Sequence, residues 1–266
     1  MADDVLAKPT VLAPPSGARV LHDRVYRTDA RGDLGLDVYR PASGPGPWPA
    51  VLLVNGDGPE AVITKAKDWG VYRSYGEHLA SRGLVGIPFN HRSSQMVGRP
   101  EVASETNAAM EHVRTNAREL GVDPERIGVW AFSAAGAFAL APLLRERPPY
   151  LRAIGGFYTV WDLAPFKSSG GTFAPNDEQV ETWSAVRALG DSGAGLPPMY
   201  IAVAERDNAA LVAGAETFIS RARELGVELR VERHTSGQHG FDILDDDDRS
   251  REIIADALAF FAGTLA

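Results

Sequence analysis

The chain is expected to fold as an α/β protein built on a mostly parallel, twisted sheet of about eight strands with helices on both faces. Three observations lead there. Continuous apolar runs such as AVLLV at 50–54 and MYIAVA at 199–204 suit strands covered on both sides. These runs alternate with stretches of helical spacing, which is the order that produces parallel strands joined by crossover helices. Several helical stretches stop at glycine, at Gly83, Gly121 and Gly226, where a chain leaves a helix easily.

The elements follow in order. Residues 1–17 have no hydrophobic period and read as a loose arm, and 18–266 read as one domain. Residues 19–27 and 34–40 alternate and read as an antiparallel pair turning near Arg31, Gly32 and Asp33. After the proline-rich connector 41–49 come a strand at 50–54, a helix at 72–82, a strand at 84–89 and a long helix at 102–120. A strand at 127–131 leads into an alanine-rich helix. Further strands are expected at 153–158, 199–204 and 227–233, and helices at 209–225 and 250–265. Residues 161–197 are irregular and read as a short cap-like insert.

Composition excludes several classes of function. Among 266 residues, 44% are hydrophobic and 23% charged, as in a globular protein, and the formal net charge of −8 does not suit binding to nucleic acid or an anionic membrane. There is no cysteine, so disulfides, thiolate metal sites and a cysteine nucleophile are ruled out. The start, MADDVLAKPTV, does not read as a secretory leader, and no apolar run reaches membrane-spanning length, so a cytoplasmic location is expected.

The stretch RIGVWAFSAAGAFAL carries the most chemistry. It sets Ser133 between a buried strand and a helix, with the small residues Ala131, Ala135 and Gly136 around it. A sharp strand-to-helix turn lifts the serine hydroxyl clear of the sheet and leaves no room for large neighbours. The pattern is a relative of G-x-S-x-G with alanine at both glycine positions. Taken alone it also suits a helix N-cap serine.

A serine nucleophile needs a base, and the base needs an orienting acid. Of the six histidines, His78 and His112 fall on helices and read as solvated, while His22 and His234 fall within strands. His91 follows a strand, and a hydrogen-bonded structural role suits it better than a place in the crevice. His239, in the glycine-flanked loop SGQHGF after the last strand, is the candidate base. Asp207, in AVAERDNAA just past a strand, is the candidate acid; its other reading is a helix cap shared with Asn208, and Glu205 is its rival. Asp242 follows His239 too closely to reach the far ring nitrogen easily. The run 245–248 reads as solvated charge at a helix start.

Serine, aspartate and histidine in that order, with the segments DVYRP, AVLLVNGDGP, LGVDPERIGVWAFSAAG, AERD and QHGF, resemble the α/β-hydrolase family over nearly the whole chain. The likeness is greatest to the dienelactone-hydrolase-like and small-esterase branch, and extends to the catalytic domain of prolyl oligopeptidases. Dienelactone hydrolases use a cysteine nucleophile, which this chain lacks, and it has no room for the oligopeptidase propeller. The resemblance implies an oxyanion hole from the amides of Asp57 and Ala134, with Asn55, Gly56, Asp57 and Gly58 standing where the family often has His-Gly-Gly-Gly. The Asp57 carboxylate would oppose an oxyanion unless it turns away.

The expected reaction is hydrolysis of a small-molecule carboxylic ester through an acyl-enzyme, with no metal or organic cofactor. An acyltransferase or thioesterase would use the same three side chains, and a non-catalytic ligand-binding protein is the remaining reading. The insert aromatics Trp161, Phe166, Phe173 and Trp183 are candidates for substrate contact or for packing the insert onto the body. Trp69, Tyr72 and Arg73 are candidates to face the crevice. Arg73 and Arg92 are weighed as grips for a substrate carboxylate, with solvated surface arginine the better reading of each.

Overall fold

A computed structural model describes residues 5–169 and 173–266. Its strands are β1 (Arg19–Asp29), β2 (Gly32–Arg40), β3 (Trp48–Val54), β4 (Val85–Pro88), β5 (Val122–Phe132), β6 (Leu151–Phe157), β7 (Met199–Ala204) and β8 (Leu229–His234). They form one sheet in the order β1-β2-β4-β3-β5-β6-β7-β8. The β1–β2 and β2–β4 pairs are antiparallel and every other pair is parallel.

The continuous apolar runs have the cause expected of them. In β3, Ala50, Leu52 and Val54 join one buried layer, while Val51 and Leu53 join the layer on the opposite face. The first layer lies beneath helices Arg99–Thr115, Ala141–Glu146 and Ala209–Glu224. The second lies beneath helices Gly70–Ala80 and Asp248–Thr264, where Tyr75, Trp130, Phe132, Phe157 and Phe261 form an aromatic layer with ring centres 4.5–5.8 Å apart along successive pairs. Covering both faces of a strand leaves no position for polar alternation.

Differences from expectation have local causes. The helix expected over 102–120 starts at Arg99 and breaks at Asn116, whose side chain donates to the His112 carbonyl before a short helix, Ala117–Leu120. β5 begins earlier than expected, at Val122, because Trp48 pairs with that residue across the β3–β5 ladder. The insert is partly helical. It contains a 3-10 turn, Ala164–Ser168, and helices Asp177–Trp183 and Ala185–Ala188. Its residues 170–172, like residues 1–4 of the arm, lie outside the described residues.

The arm is tied down rather than loose. The Thr10 amide donates to Ser74, and the Val11 amide donates to the Asp242 carbonyl at 2.8 Å. The arm crosses the helix Gly70–Ala80 where Gly70 has no side chain; a Cβ there would stand 2.3 Å from the Ala7 carbonyl. His78 therefore faces the arm and not solvent. It is 2% exposed, with Nε2 at 3.1 Å from the Leu12 carbonyl and 3.4 Å from the Thr10 hydroxyl. Leaving an aqueous setting disfavours the imidazolium, and burial lowers the His78 pKa.

A histidine held neutral by folding makes the native state bind fewer protons than the unfolded chain, so stability falls as pH drops below the usual histidine value. His112, half-buried on helix Arg99–Thr115, shifts in the same direction from the same cause. Thermal unfolding measured between about pH 7 and about pH 5 is expected to show a falling midpoint, and a smaller fall in His78→Gln. An unchanged slope in the variant would remove His78 from the account.

Candidate active site

The site forms at the carboxyl ends of β3, β5, β7 and β8, the edge where ligands bind in open α/β sheets. Ser133 follows β5 and holds a left-handed backbone, φ +54°. That region is costly for a residue with a Cβ, about 1–3 kcal/mol, and persists where surrounding contacts demand it. Here the chain leaving β6 wraps the turn. The Ser133 amide donates to the Phe157 carbonyl at 3.2 Å, and the Ser133 carbonyl accepts from the Val160 amide at 2.8 Å. The Thr159 hydroxyl donates to the Ala131 carbonyl at 2.9 Å.

Two glycines make that wrapping possible. A Cβ on Gly136 would lie 2.1 Å from the Val160 carbonyl, and one on Gly56 would lie 2.8 Å from Ser133 Cβ. Ala131 and Ala135 are fully buried at this turn, which accommodates alanine in the two positions where the G-x-S-x-G pattern has glycine.

The structure brings together the three side chains selected from the sequence. His239 Nε2 lies 3.0 Å from Ser133 Oγ, and His239 Nδ1 lies 2.6 Å from Asp207 Oδ2. The Asp207 side chain is nearly buried, at 6% exposure, whereas that of His239 is 43% exposed. Asp207 is free for this contact because its neighbour Asn208 caps the helix Ala209–Glu224, accepting from the Ala210 amide. Glu205 turns instead to Arg233. The loop carrying His239 is pinned by the Gln238 amide, which donates to Asp245, and by the Arg206 amide, which donates to the Gly237 carbonyl. The acidic run 245–248 thus does more than meet solvent: Asp247 also caps the last helix and faces the buried His234.

The β3 loop is equally ordered. The Asp57 carboxylate turns away to a polar turn, accepting from the Gly58 amide at 2.9 Å, from the Ser93 hydroxyl at 3.0 Å, and from the amide and hydroxyl of Ser94. Its charge is therefore met by four donors. The amides of Asp57 and Ala134 donate to no group among the described residues. His91 supports this loop from beneath. It is fully buried, with Nε2 at 3.0 Å from the Asn55 carbonyl and Nδ1 at 2.8 Å from the Arg92 carbonyl, so it does not line the crevice.

A cavity of about 180 Å³ opens beside Ser133 and His239. Tyr72 and Trp69 line it as expected, and Ile63, Val71, Phe132, Tyr158 and Ile243 complete an apolar wall that the sequence reading did not select. Tyr158 stands directly past β6 at the same sheet edge, a placement that marks it as a site residue once strand order is known. Its ring lies 4.6 Å from that of His239.

The insert aromatics lie elsewhere. Trp161 is buried against Phe218, with ring centres 4.2 Å apart, and reaches only a slot of about 10 Å³ behind Asp207. Phe166, Phe173 and Trp183 pack around Leu163, Val180 and Ala137, where they attach the insert to the body. Burying that apolar surface is the stronger demand on a short insert. Neither arginine grips the crevice. Arg73 faces a groove with His22, Asp68 and Glu77, and Arg92 is buried in an ion pair with Glu105 and Asp29.

Comparison with known proteins agrees with this fold. The BD-FAE family model matches residues 36–148. The native form of Est2, a thermophilic esterase from the Planctomycetes species Thermogutta terrifontis, superposes with a TM-score of 0.72 at 23% identity, over 95% of this chain and 96% of that one. The same esterase phosphonylated by sarin superposes with a TM-score of 0.70 at 22% identity, over 95% and 98%. A truncated carbohydrate esterase from gut microbiota gives a TM-score of 0.73 at 19% identity, over 96% and 99%. No curated protein matches the chain. The chain has the α/β-hydrolase fold. Among the described residues, no helix is long and apolar enough to cross a membrane.

The closeness of Gly56 to the serine yields a prediction. Gly56→Ala would push the Ser133 hydroxyl out of line with His239 while leaving the core untouched. A loss of about a hundredfold in turnover of an ester substrate is expected, with an unchanged unfolding midpoint. Full activity in a folded Gly56→Ala protein would contradict the packing described.

Proposed function

We propose that this protein is a serine hydrolase of small carboxylic esters, a small esterase of the dienelactone-hydrolase-like kind with serine as its nucleophile. The observation that carries the reading is the continuous hydrogen-bonded line from Ser133 Oγ through His239 to Asp207, at 3.0 and 2.6 Å. A serine hydroxyl facing an imidazole that is oriented by a carboxylate is arranged to lose its proton as it attacks a carbonyl.

Each step has a group to perform it. Ser133 attacks the ester carbonyl and His239 takes its proton. Asp207 steadies the resulting imidazolium and keeps its ring in position. The unpaired amides of Asp57 and Ala134 receive the developing oxyanion, which is stabilised by donors already aimed at it. His239 then gives the proton to the departing alcohol. A water enters, loses its proton to His239, and releases the acid from Ser133. The exposure of the His239 edge admits that water, which favours hydrolysis over transfer to an acyl acceptor.

The cavity supports a short acyl group. Its volume of about 180 Å³ is below the range of about 300–1,000 Å³ typical of sites for drug-sized ligands. Its apolar walls suit an unbranched alkyl chain. The neighbouring structures bear on the reading too: Est2 is named an esterase and is recorded as phosphonylated by sarin, and the gut-microbiota protein is named a carbohydrate esterase.

A panel of p-nitrophenyl esters of increasing acyl length tests this. Acetyl to butyryl esters are expected to turn over fastest, with kcat/KM falling at least about tenfold by octanoyl, and Ser133→Ala is expected to lose at least about a thousandfold on every ester. Hydrolysis that survives in Ser133→Ala would overturn the mechanism, and equal rates on long and short chains would overturn the pocket assignment. A second measurement concerns the acid. Asp207→Asn is expected to lower kcat by about a thousandfold or more with little change in KM, because the group acts on the imidazole and not on the bound ester.

A further inference from the structure

Three residues beyond His239 lies a carboxylate for which the mechanism above has no use. Asp242 is fully buried, at 0% exposure, in the short helix Phe241–Leu244. Its Oδ2 accepts from the Tyr75 hydroxyl at 2.7 Å and its Oδ1 accepts from the Tyr158 hydroxyl at 2.8 Å. Both tyrosines are themselves buried. An ionised carboxylate accepts from both phenols and leaves none of their protons stranded. A neutral carboxyl would bring a third proton to the same two contacts.

The far end of this arrangement touches the site. The Tyr158 ring lies 4.6 Å from the His239 ring and forms part of the cavity wall beside Ser133. Tyr158 also holds a strained backbone, φ +40°, which a bulky residue keeps only when its surroundings hold it there. Its hydroxyl anchor on Asp242 is one such hold, and its amide, donating to the Ala202 carbonyl at 3.1 Å, is another.

Building on the proposed hydrolase reading, the geometry points to Asp242 as a positioning residue that acts through Tyr158: it fixes the ring against which His239 sits, and it sets a second negative charge behind the imidazole. Asp207 orients the ring edge from one side, and the Asp242–Tyr158 pair limits its movement on the other.

The groups facing Asp242 are few. Tyr72 and Tyr75 face it from the helix Gly70–Ala80, Tyr158 from the segment after β6, and His239 from its own loop, while Asp207 approaches Tyr158 from beyond β7. Burial raises the Asp242 pKa, and the two phenol donors and His239 pull it back. A buried negative charge near an imidazole favours the imidazolium. Removing that charge is therefore expected to move the acid limb of the activity profile to lower pH.

The test compares the full chain with Asp242→Asn and Tyr158→Phe. It reads kcat, KM and the pH profile of kcat/KM on p-nitrophenyl acetate, with the folded fraction checked by thermal unfolding. Asp242→Asn is expected to lower kcat about tenfold with KM little changed, and to shift the acid limb downward. Tyr158→Phe keeps the ring and cuts the link, so it is expected to lower kcat in the same direction; it decides the question if Asp242→Asn does not fold. A profile and kcat equal to wild type in folded Asp242→Asn, or in Tyr158→Phe, would overturn the inference. Absence of Ser133-dependent activity in the unaltered protein would instead overturn the hydrolase reading on which it rests.

Discussion

The left-handed turn at Ser133 is the constraint on which the other features of the site depend. A serine in that conformation relaxes unless contacts hold it, and here they come from a different part of the chain. The segment 157–160 leaves β6, takes the Ser133 amide and carbonyl into hydrogen bonds, and reaches the Ala131 carbonyl through Thr159. Gly136 then lets that segment press against the turn, and Gly56 lets the loop after β3 do so, where a methyl group would collide. Strain at one residue is thus balanced by long-range packing, the usual condition for strained backbone at a functional position.

The same sheet edge organises the rest. Four strands end together, so the loops after β3, β5, β7 and β8 deliver the Asp57 amide, Ser133 with the Ala134 amide, Asp207 and His239 without a long connection. Support for these loops is polar, buried beneath Asn55 and nearer the surface at Asp57 and Gln238. His91 holds the Asn55 carbonyl, Ser93 and Ser94 hold the Asp57 carboxylate, and Asp245 holds Gln238 beside the histidine. The arm joins this support through the contact of Val11 with Asp242. Each unit fixes a loop whose own sequence is too short and too rich in glycine to fix itself.

Much of this was legible in the sequence because it follows from period and order. Residues 199–204 coincide with β7, since a run of six apolar residues bounded by turn residues suits a strand covered on both faces. Ser133, Asp207 and His239 stand out in the sequence because each lies just past a strand, and strand ends share one edge. What could not be read depends on which distant segments touch. His78 has the spacing of a surface residue, and only the returning arm buries it. Arg92 reads as a surface cation until Glu105 and Asp29 enclose it. Asp242, three residues from His239, gives no sign in the sequence of its link through Tyr158, which only the fold creates. The insert aromatics were ambiguous between pocket and packing because both uses demand the same residues; the surface available beside Ala137 and Val180 decides for packing.

The account requires that a reacting group bound to Ser133 meet the two free amides and the imidazole at once. A crystal structure of the protein after reaction with a fluorophosphonate tests this most directly. The account predicts a phosphorus bonded to Ser133 Oγ, with its phosphoryl oxygen about 2.7–3.1 Å from the amides of both Asp57 and Ala134 and the His239 Nε2 edge facing the adduct. An adduct on another residue, or a phosphoryl oxygen turned to solvent away from both amides, would contradict it.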